Sequence, residues 1–151
     1  MKVFISHSQK DAEFAKELTA RLSDARLDVW LAEREVLPGD NWQLEVGKAL
    51  QRSDAMVVLL SPDGVAAENV RHDIGFAMGS PKFEGRLIPV ILGPTNTEAI
   101  PWFLRSLPMI EAPANSKKQV KQIAEKIVLS LRGGNGGKSR ARGMLDVAKA
   151  S

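Results

Sequence analysis

The sequence contains no cysteine. This absence excludes a disulfide scaffold, a thiol nucleophile and a zinc site built on cysteine. Long apolar runs are also missing: the longest strong one, residues 55–60, has the length of a strand and falls far short of the roughly 20 residues that cross a bilayer. The first residues show no secretory signal pattern. We therefore expect a cytoplasmic protein that makes no membrane contact.

Several catalytic and nucleotide-binding motifs are absent as well. The chain has neither a Gly-x-Gly-x-x-Gly loop nor a Walker lysine, so a bound nucleotide would need other phosphate contacts. The N-terminus of the first helix or Arg34 could supply them. The chain also lacks a Gly-x-Ser-x-Gly elbow, which argues against a serine hydrolase.

Positive charge is concentrated at the end of the chain. The formal net charge is +3, and residues 133–151 carry this whole excess, which leaves residues 1–132 neutral. Because residues 1–132 carry no net positive charge that would attract a nucleic acid, we expect this part of the chain not to bind one. The glycine-rich run 133–137 predicts a flexible linker. We therefore divide the chain into a domain, 1–132, and a linker with a basic tail, 133–151.

What the sequence does contain is a regular alternation of strand and helix patterns. Its 151 residues, 44% of them hydrophobic, suffice for one domain with a substantial core. Strands are predicted over 3–5, 27–31, 55–60, 86–92 and 108–111. Helices are predicted over 9–24, after a cap at Asn41, and over 66–78 and 116–131. This alternation predicts an α/β fold with a doubly wound parallel sheet, and the flavodoxin-like order 2-1-3-4-5 fits the length best. In strand 86–92, Pro89 predicts a bulge or an unpaired side.

The turn after the first strand carries the candidate site. Open parallel sheets bind ligands beside the carboxyl ends of the strands, at the point where the strand order reverses. In the predicted order this point lies between strands one and three. We therefore expect Ser6, His7 and Ser8 to line one side of a cleft and residues 61–73 to line the other. His7 could act as an acid or base, although a hydrogen bond to the turn is its more common role.

Asp73 is the carboxylate of interest. It lies beside the apolar stripe of Val70 and Ile74, so we expect it to be half-buried near the cleft. Such a carboxylate can stabilise developing positive charge or bind sugar hydroxyls, and a salt bridge with Arg71 or a neighbouring lysine is an equal alternative. Glu68 lies five residues earlier, roughly 140° around the helix, so we do not expect these two carboxylates to share a site.

Two tryptophans flank the segment that follows the second strand. Trp30 and Trp42 could each stack on a base, although core packing is the commoner role. Between them, the predicted loop places aliphatic side chains in a polar segment at 34–39, which is typical of a surface that contacts another protein.

Together these motifs resemble a TIR (Toll/interleukin-1 receptor) domain of the bacterial kind over about residues 1–131. The matching segments are 4–8 with Asp11, Arg34 with 37–39, 55–61 with Pro62, and 86–90. The resemblance implies the flavodoxin-like fold and one of two functions. Some TIR domains are adaptors that signal by self-association. Others, including many bacterial ones, cleave NAD+ at the nicotinamide–ribose bond and give ADP-ribose or a cyclised product.

In the NAD+-cleaving members, a glutamate on the helix after the central strand contacts the ribose, and a neighbouring copy often completes the site. The motif alignment puts Asp73 at that position, with Asn69 where an aromatic residue is often found and Ala32 where an acidic residue is usual. Aspartate is shorter by one methylene, and misplacement on the order of 1 Å can cost about a hundredfold in rate.

The resemblance thus implies that Asp73 is the catalytic residue and that NAD+ is a substrate, with no cofactor and no metal. It implies binding roles for a further set of residues: Ser6, His7, Ser8, Arg34, Trp42 and Ser61. Our leading hypothesis is an NAD+ hydrolase or cyclase in a bacterial signalling or defence system. The alternative is a non-catalytic module that assembles with itself or with other TIR domains through residues 34–39. A phosphoacceptor receiver domain is disfavoured because Ser6-His7 and Ser61-Pro62 stand where it needs acidic residues.

Overall fold

The computed structural model describes residues 1–93, 95–112 and 119–133, over which strands and helices alternate. The strands are β1 (Lys2–Ser6), β2 (Asp28–Trp30), β3 (Ala55–Leu60), β4 (Leu87–Leu92) and β5 (Ile110–Ala112). The helices are α1 (Ala12–Asp24), α2 (Ala32–Glu35), α3 (Trp42–Arg52), α4 (Pro62–Ala66), α5 (Glu68–Met78), α6 (Trp102–Arg105) and α7 (Val120–Arg132). Within these ranges, no helix has both the length and the apolar character that a bilayer crossing requires.

The five strands form one parallel sheet in the order β2-β1-β3-β4-β5, which confirms the predicted flavodoxin-like topology. All six residues of β3 are buried, as expected for a central strand covered on both faces. Pro89 sits in an unbroken register with β3, and the pairing of β4 with β5 begins only at Val90. The structure therefore bears out the unpaired side predicted for Pro89 and shows no bulge.

Alternating residues of the strands supply the two halves of the core. Along β1, Val3 and Ile5 pack with α1 and α7 on one face of the sheet, while Phe4 packs with α3, α5 and α6 on the other. This follows from the period-two geometry of a strand, which sends successive side chains to opposite faces. The second face, with its shorter helices, is the one that leaves room for a cavity beside β1.

Two short helices lie in segments where the sequence analysis predicts no helix. Residues 32–35 form α2, an Ala-Glu-Arg-Glu stretch with good helix propensity. Residues 62–66 form α4, because Ser61 Oγ accepts a hydrogen bond from Gly64 N at 2.9 Å and Pro62 suits the first helical position. The predicted linker and tail fall almost wholly outside the described residues, as does the predicted start of the last helix at 116.

Candidate active site

A cavity of about 420 Å³ opens at the carboxyl edge of the sheet, between β1, α2, α3 and α5. Its volume is within the range of small-molecule binding sites. The lining combines apolar and polar side chains: Phe4, Ile5, His7, Ala32, Glu33, Trp42, Gln43, Val46, Gly47, Leu50, Glu68, Asn69, His72 and Asp73. The cavity borders the carboxyl end of β1, and of the two sides predicted for the cleft it includes His7 and residues from the 68–73 part of α5, but not Ser6.

Asp73 lies in the wall of this cavity and is only 5% exposed. Helix α5 places it there by packing Val70 and Ile74 against the sheet, which turns the neighbouring column of side chains towards β1. Ser6 Oγ, at the end of β1, donates a hydrogen bond to Asp73 Oδ2 at 2.8 Å. From the described part of the chain, Oδ1 receives no hydrogen bond and no lysine or arginine pairs with the carboxylate.

The electrostatic environment of Asp73 is unusual for an aspartate. Burial raises the pKa of its carboxyl from the ordinary value of 3.8 to about 6. The hydrogen bond from Ser6 and the nearby His72 and His7 act in the opposite direction and offset part of that rise. The carboxylate is therefore mostly ionised at neutral pH, in a poorly solvated position where its attraction for a cation or a donor is strengthened. Arg71, the alternative partner considered from the sequence, instead donates to Val65 O at 3.4 Å.

The imidazole ring of His7 lies between two oxygen atoms at the edge of the cavity. Its Nδ1 lies 2.6 Å from Ser8 O, and its Nε2 lies 2.9 Å from Glu33 Oε1. A backbone carbonyl can only accept, so Nδ1 carries a proton and donates it to Ser8 O. On the other side of the ring, Nε2 faces the Glu33 carboxyl. The ring is thus held both by the turn, as the commoner interpretation predicts, and by an acidic partner in the cavity wall.

Glu33 is a lining residue that the sequence analysis missed. The alignment looked for an acidic side chain at position 32, where the chain has alanine. Residues 32–35 form α2, and this short helix turns Glu33 towards His7. A one-residue offset in the alignment would have found it, because the acidic character is kept at the adjacent position.

Helix α5 contributes more than one carboxylate to the cavity, and the expectation that Glu68 and Asp73 cannot share a site is wrong. Both line the same cavity, as do Asn69 and His72. Residues four apart stack in columns along a helix, so 68 with 72 and 69 with 73 form two adjacent columns. The cavity is wide enough to be lined by side chains from both columns. Asn69 Nδ2 also donates to His7 O at 3.0 Å, which ties α5 to the turn after β1.

The two tryptophans have different surroundings. Trp30 stacks on Phe4 with ring centroids 5.2 Å apart and belongs to the core, as the commoner interpretation predicts. Trp42, the first residue of α3, lines the cavity and remains 48% exposed. Arg34 does not line the cavity. Its guanidinium donates to Val29 O and pairs with Glu35.

Ser8 and Ser61 belong to a separate group that we call the serine–aspartate cluster, formed by Ser8, Asp11 and Ser61. Both hydroxyls donate to Asp11 Oδ2, the one from Ser8 at 2.8 Å and the one from Ser61 at 2.5 Å. Neither serine is among the residues that line the cavity. The cluster fastens the turn after β1 to the turn after β3, and a role in substrate binding for either serine stays a prediction.

Comparison with known proteins agrees with the motifs and the topology. The sequence model of the TIR domain matches residues 3–128. A probable 2' cyclic ADP-D-ribose synthase, TcpO, from Methanobrevibacter olleyae is 28% identical over 127 residues, which cover 83% of this chain and 37% of that protein. The chain thus spans little more than a third of that relative's length.

Solved structures show the same fold. A TIR-STING receptor from C. gigas in complex with 2',3'-cGAMP superposes with a TM-score of 0.65 at 24% identity, covering 81% of this chain and 38% of the receptor. The TIR domain of the Toll-related receptor TRR-2 from Hydra magnipapillata also gives 0.65, at 19% identity, over 83% of this chain and 96% of its own. On the extent of the sequence match, the chain belongs to the TIR domain family.

Proposed function

We propose that this TIR domain cleaves NAD+ at the nicotinamide–ribose bond, as a hydrolase or cyclase that serves a signalling or defence system. The observation that carries the proposal is the position of Asp73. It is a buried carboxylate in a cavity at the carboxyl edge of the sheet, with one oxygen held by Ser6 and the other without a protein donor among the described residues. The similarity to a probable 2' cyclic ADP-D-ribose synthase supports the same reaction class.

In the proposed reaction, the bond between the ribose C1' atom and the nicotinamide nitrogen breaks. Its electron pair leaves with nicotinamide, and positive charge develops on the ribose as an oxocarbenium ion. Ionised Asp73 accepts hydrogen bonds from ribose hydroxyls and stabilises that charge, in a site where burial strengthens the attraction. The C1' atom is then attacked by water, which loses a proton, or by a nucleophilic atom of the ADP-ribose itself, which gives a cyclic product.

The remaining side chains have supporting roles in this proposal. Ser6 is a positioning residue, because its hydroxyl fixes one oxygen of Asp73. His7 and Trp42 contact the substrate from the wall and the mouth of the cavity. Arg34 lies outside the lining and its guanidinium is held by Val29 O and Glu35, so the proposal gives it no contact with substrate inside the cavity.

The experiment is an NAD+ turnover assay that follows nicotinamide release, at low protein concentration and under crowding that drives assembly. We expect turnover in at least the crowded sample, and the Asp73→Ala variant should be inactive. Asp63→Ala is the matched control, since Asp63 is an exposed aspartate on α4 outside the cavity lining. Intact NAD+ in every condition would contradict the proposal.

A second candidate function is a non-catalytic interaction module, and one surface feature favours it. Leu37 is 63% exposed within the predicted contact segment 34–39, and Trp42 and Leu44, at the start of α3, are 48% and 53% exposed. Sedimentation of wild type and Leu37→Ser would show whether this surface drives self-association. An Asp73→Glu variant separates the two candidates, because an impaired enzyme should gain activity whereas a pure scaffold should stay inert.

A further inference from the structure

We propose that residues 138–149 dock as an amphipathic helix in a groove between α1 and α7. The groove lies on the other side of the sheet from the cavity, because α1 and α7 cover one face and α3 and α5 the other. The occupant is thus a segment of the same chain, the one that follows α7. The inference goes beyond the proposed function and does not depend on NAD+ cleavage.

The first observation is the groove itself, which has a volume of about 540 Å³ and lies between the end of α1 and the length of α7. Its apolar lining consists of Ala25, Ala124, Val128 and Leu129. Leu129 is 71% exposed, whereas Ile127, on the inward side of α7, is fully buried in the core. A leucine this exposed beside an apolar groove is typical of a surface that another apolar segment covers.

The second observation is the sequence pattern of the segment that follows α7. Its apolar side chains recur with the spacing i, i+3, i+4 and i+7, at Ala141, Met144, Leu145 and Ala148. On a helix, this spacing gathers them within about 100° of the circumference. Gly143 falls on the opposite side and lowers the helix propensity. Because a helix of about 12 residues is marginal in water, this apolar face needs a partner surface to be stable.

The third observation is that the segment starts where the groove ends. Arg132 Nη2 donates to Ala25 O at 2.9 Å, which holds the end of α7 against the end of α1. The linker 133–137 consists of four glycines and one asparagine, so it can reverse the chain direction. Its length fits the 2–5 residues that join two antiparallel helices. A helix over 138–149 would be roughly 18 Å long, enough to cover the roughly 12 Å of α7 between 121 and 129.

The fourth observation is the charge on the two sides of the groove. Asp24 on α1 and Glu125 on α7 both line it, and neither takes part in an ion pair within the described ranges. On the predicted helix, Arg140 and Arg142 lie roughly 100° to either side of the centre of the apolar face. Docking that face in the groove therefore brings one arginine towards each acidic side chain. Exposed pairs of this kind set the orientation of the helix more than its affinity.

A second copy of the chain is the other occupant that could cover the groove. The tethered segment is favoured because a short flexible linker holds it at an effective concentration on the order of millimolar. Association between copies would instead depend on the protein concentration, and this difference separates the two occupants experimentally.

The test is hydrogen–deuterium exchange of the full chain, followed by mass spectrometry of peptides from residues 138–149. We expect the amides of this segment to exchange at least about tenfold more slowly than those of an unstructured peptide. Such protection reports docking, because the isolated helix is marginal. Exchange at the unstructured rate in the wild-type chain would overturn the proposal.

Two pairs of variants locate the contact on both of its sides. In the segment, Leu145→Asp should abolish the protection, whereas Val147→Asp, the same kind of change outside the apolar face, should keep it. In the groove, Leu129→Asp should abolish the protection. Ser130→Asp should keep it, because Ser130 is exposed on α7 but does not line the groove. Protection that survives Leu129→Asp would mean that the segment docks elsewhere, and the proposal would be wrong.

Sedimentation of the same samples identifies the occupant. We expect the protection to be independent of protein concentration and to be present where the chain is monomeric. Protection that appears only as copies associate would assign the groove to a second copy and overturn the proposal. NAD+ turnover, measured in parallel, tests the proposed function separately, since neither its presence nor its absence changes the exchange expected for residues 138–149.

Discussion

Two polar groups start from the same turn after β1, and they differ in how completely their carboxylates are hydrogen-bonded. In the serine–aspartate cluster, Asp11 accepts from the hydroxyls of Ser8 and Ser61. At the cavity, Ser6 is the one donor to Asp73 among the described residues, although Asp73 is more deeply buried than Asp11. The serine–aspartate cluster joins two turns of the fold, whereas at the cavity a buried oxygen of Asp73 faces open space.

The difference supports the proposal that Asp73 is a functional carboxylate and that Asp11 is a structural one. Burial raises the pKa of Asp73 to about 6, with too few donors nearby to reverse the effect. Groups with such shifts collect at functional sites, because a fold rarely retains the cost without a use for it. The comparison supports the proposal that the chemistry takes place at the cavity while the cluster contributes stability, and both parts can be tested.

The largest expected effect comes from Asp73→Asn. The amide can still accept from Ser6, but it cannot carry the negative charge that the proposed reaction needs. We expect NAD+ turnover to fall by at least about a hundredfold. The same variant should be more stable than wild type at pH 8, by up to about 3 kcal/mol, because one pKa unit corresponds to about 1.4 kcal/mol. The turnover assay checks the expected loss of activity, and chemical denaturation at pH 8 checks the expected gain of stability.

Asp63→Asn is the matched control, an aspartate-to-asparagine change at an exposed position on α4. It should leave both activity and stability close to wild type. If Asp73→Asn instead lowered stability at pH 8, Asp73 would be a structural carboxylate like Asp11, and the comparison would fail.

The pH dependence of stability sharpens the same point. The pKa of Asp73 is 3.8 in the unfolded chain and about 6 in the folded one, so the folded state binds more protons between these values. The contribution of Asp73 to stability therefore falls as pH rises through this window. The difference in unfolding free energy between Asp73→Asn and wild type should be near zero below pH 4. It should grow between pH 4 and 6 and be constant above pH 7. A difference that is independent of pH would contradict the assignment.

The turn beneath the serine–aspartate cluster should be sensitive to Gly64→Ala. A Cβ at position 64 would lie 2.4 Å from Leu59 O, a backbone atom that cannot move away without disturbing β3. We expect a loss of stability of about 3 kcal/mol, measured by denaturation. Gly75→Ala is the control, because a Cβ there meets no atom within 4 Å. Equal stabilities of the two variants would show that the turn is loosely held.

Removing the acceptor of the cluster should have a smaller effect. Asp11→Ala leaves the hydroxyls of Ser8 and Ser61 without their partner, and both serines are buried. We expect a loss of about 2 kcal/mol, because hydrogen bonds to a charged acceptor contribute about 1.5–3 kcal/mol each and solvent can replace part of them. The KM for NAD+ should stay unchanged in the folded fraction. A change in KM with unaltered stability would place Asp11 in the site.

The fold was predictable because it depends on features that can be read from short stretches of sequence. Strand periodicity, turn residues and the length of each connection were sufficient for the order of five strands. The short helices α2 and α4 were not predicted, since a four- or five-residue helix has no apolar period to recognise. Their existence depends on caps and on packing against neighbouring elements.

The site was predictable in part, for a related reason. Asp73 and the turn at Ser6 and His7 could be placed in one cleft, because parallel strands deliver their carboxyl ends to one edge. Which polar side chains bond to each other could not be read from spacing. Ser6 bonds to Asp73, 67 residues away, and Ser61 bonds to Asp11, 50 residues away. Such pairings are decided by side-chain geometry at the strand ends.

Ser61→Ala is expected to have the smallest effect, and it tests the prediction that Ser61 binds substrate. Its hydroxyl accepts from Gly64 N at 2.9 Å and donates to Asp11. Loss of this helix cap should lower stability by about 1 kcal/mol. If the cluster is only structural, the KM for NAD+ should match that of wild type, because the cavity lining is untouched. A raised KM at unchanged stability would instead mean that substrate reaches beyond the cavity to the turn after β3, and the division between the two groups would have to be redrawn.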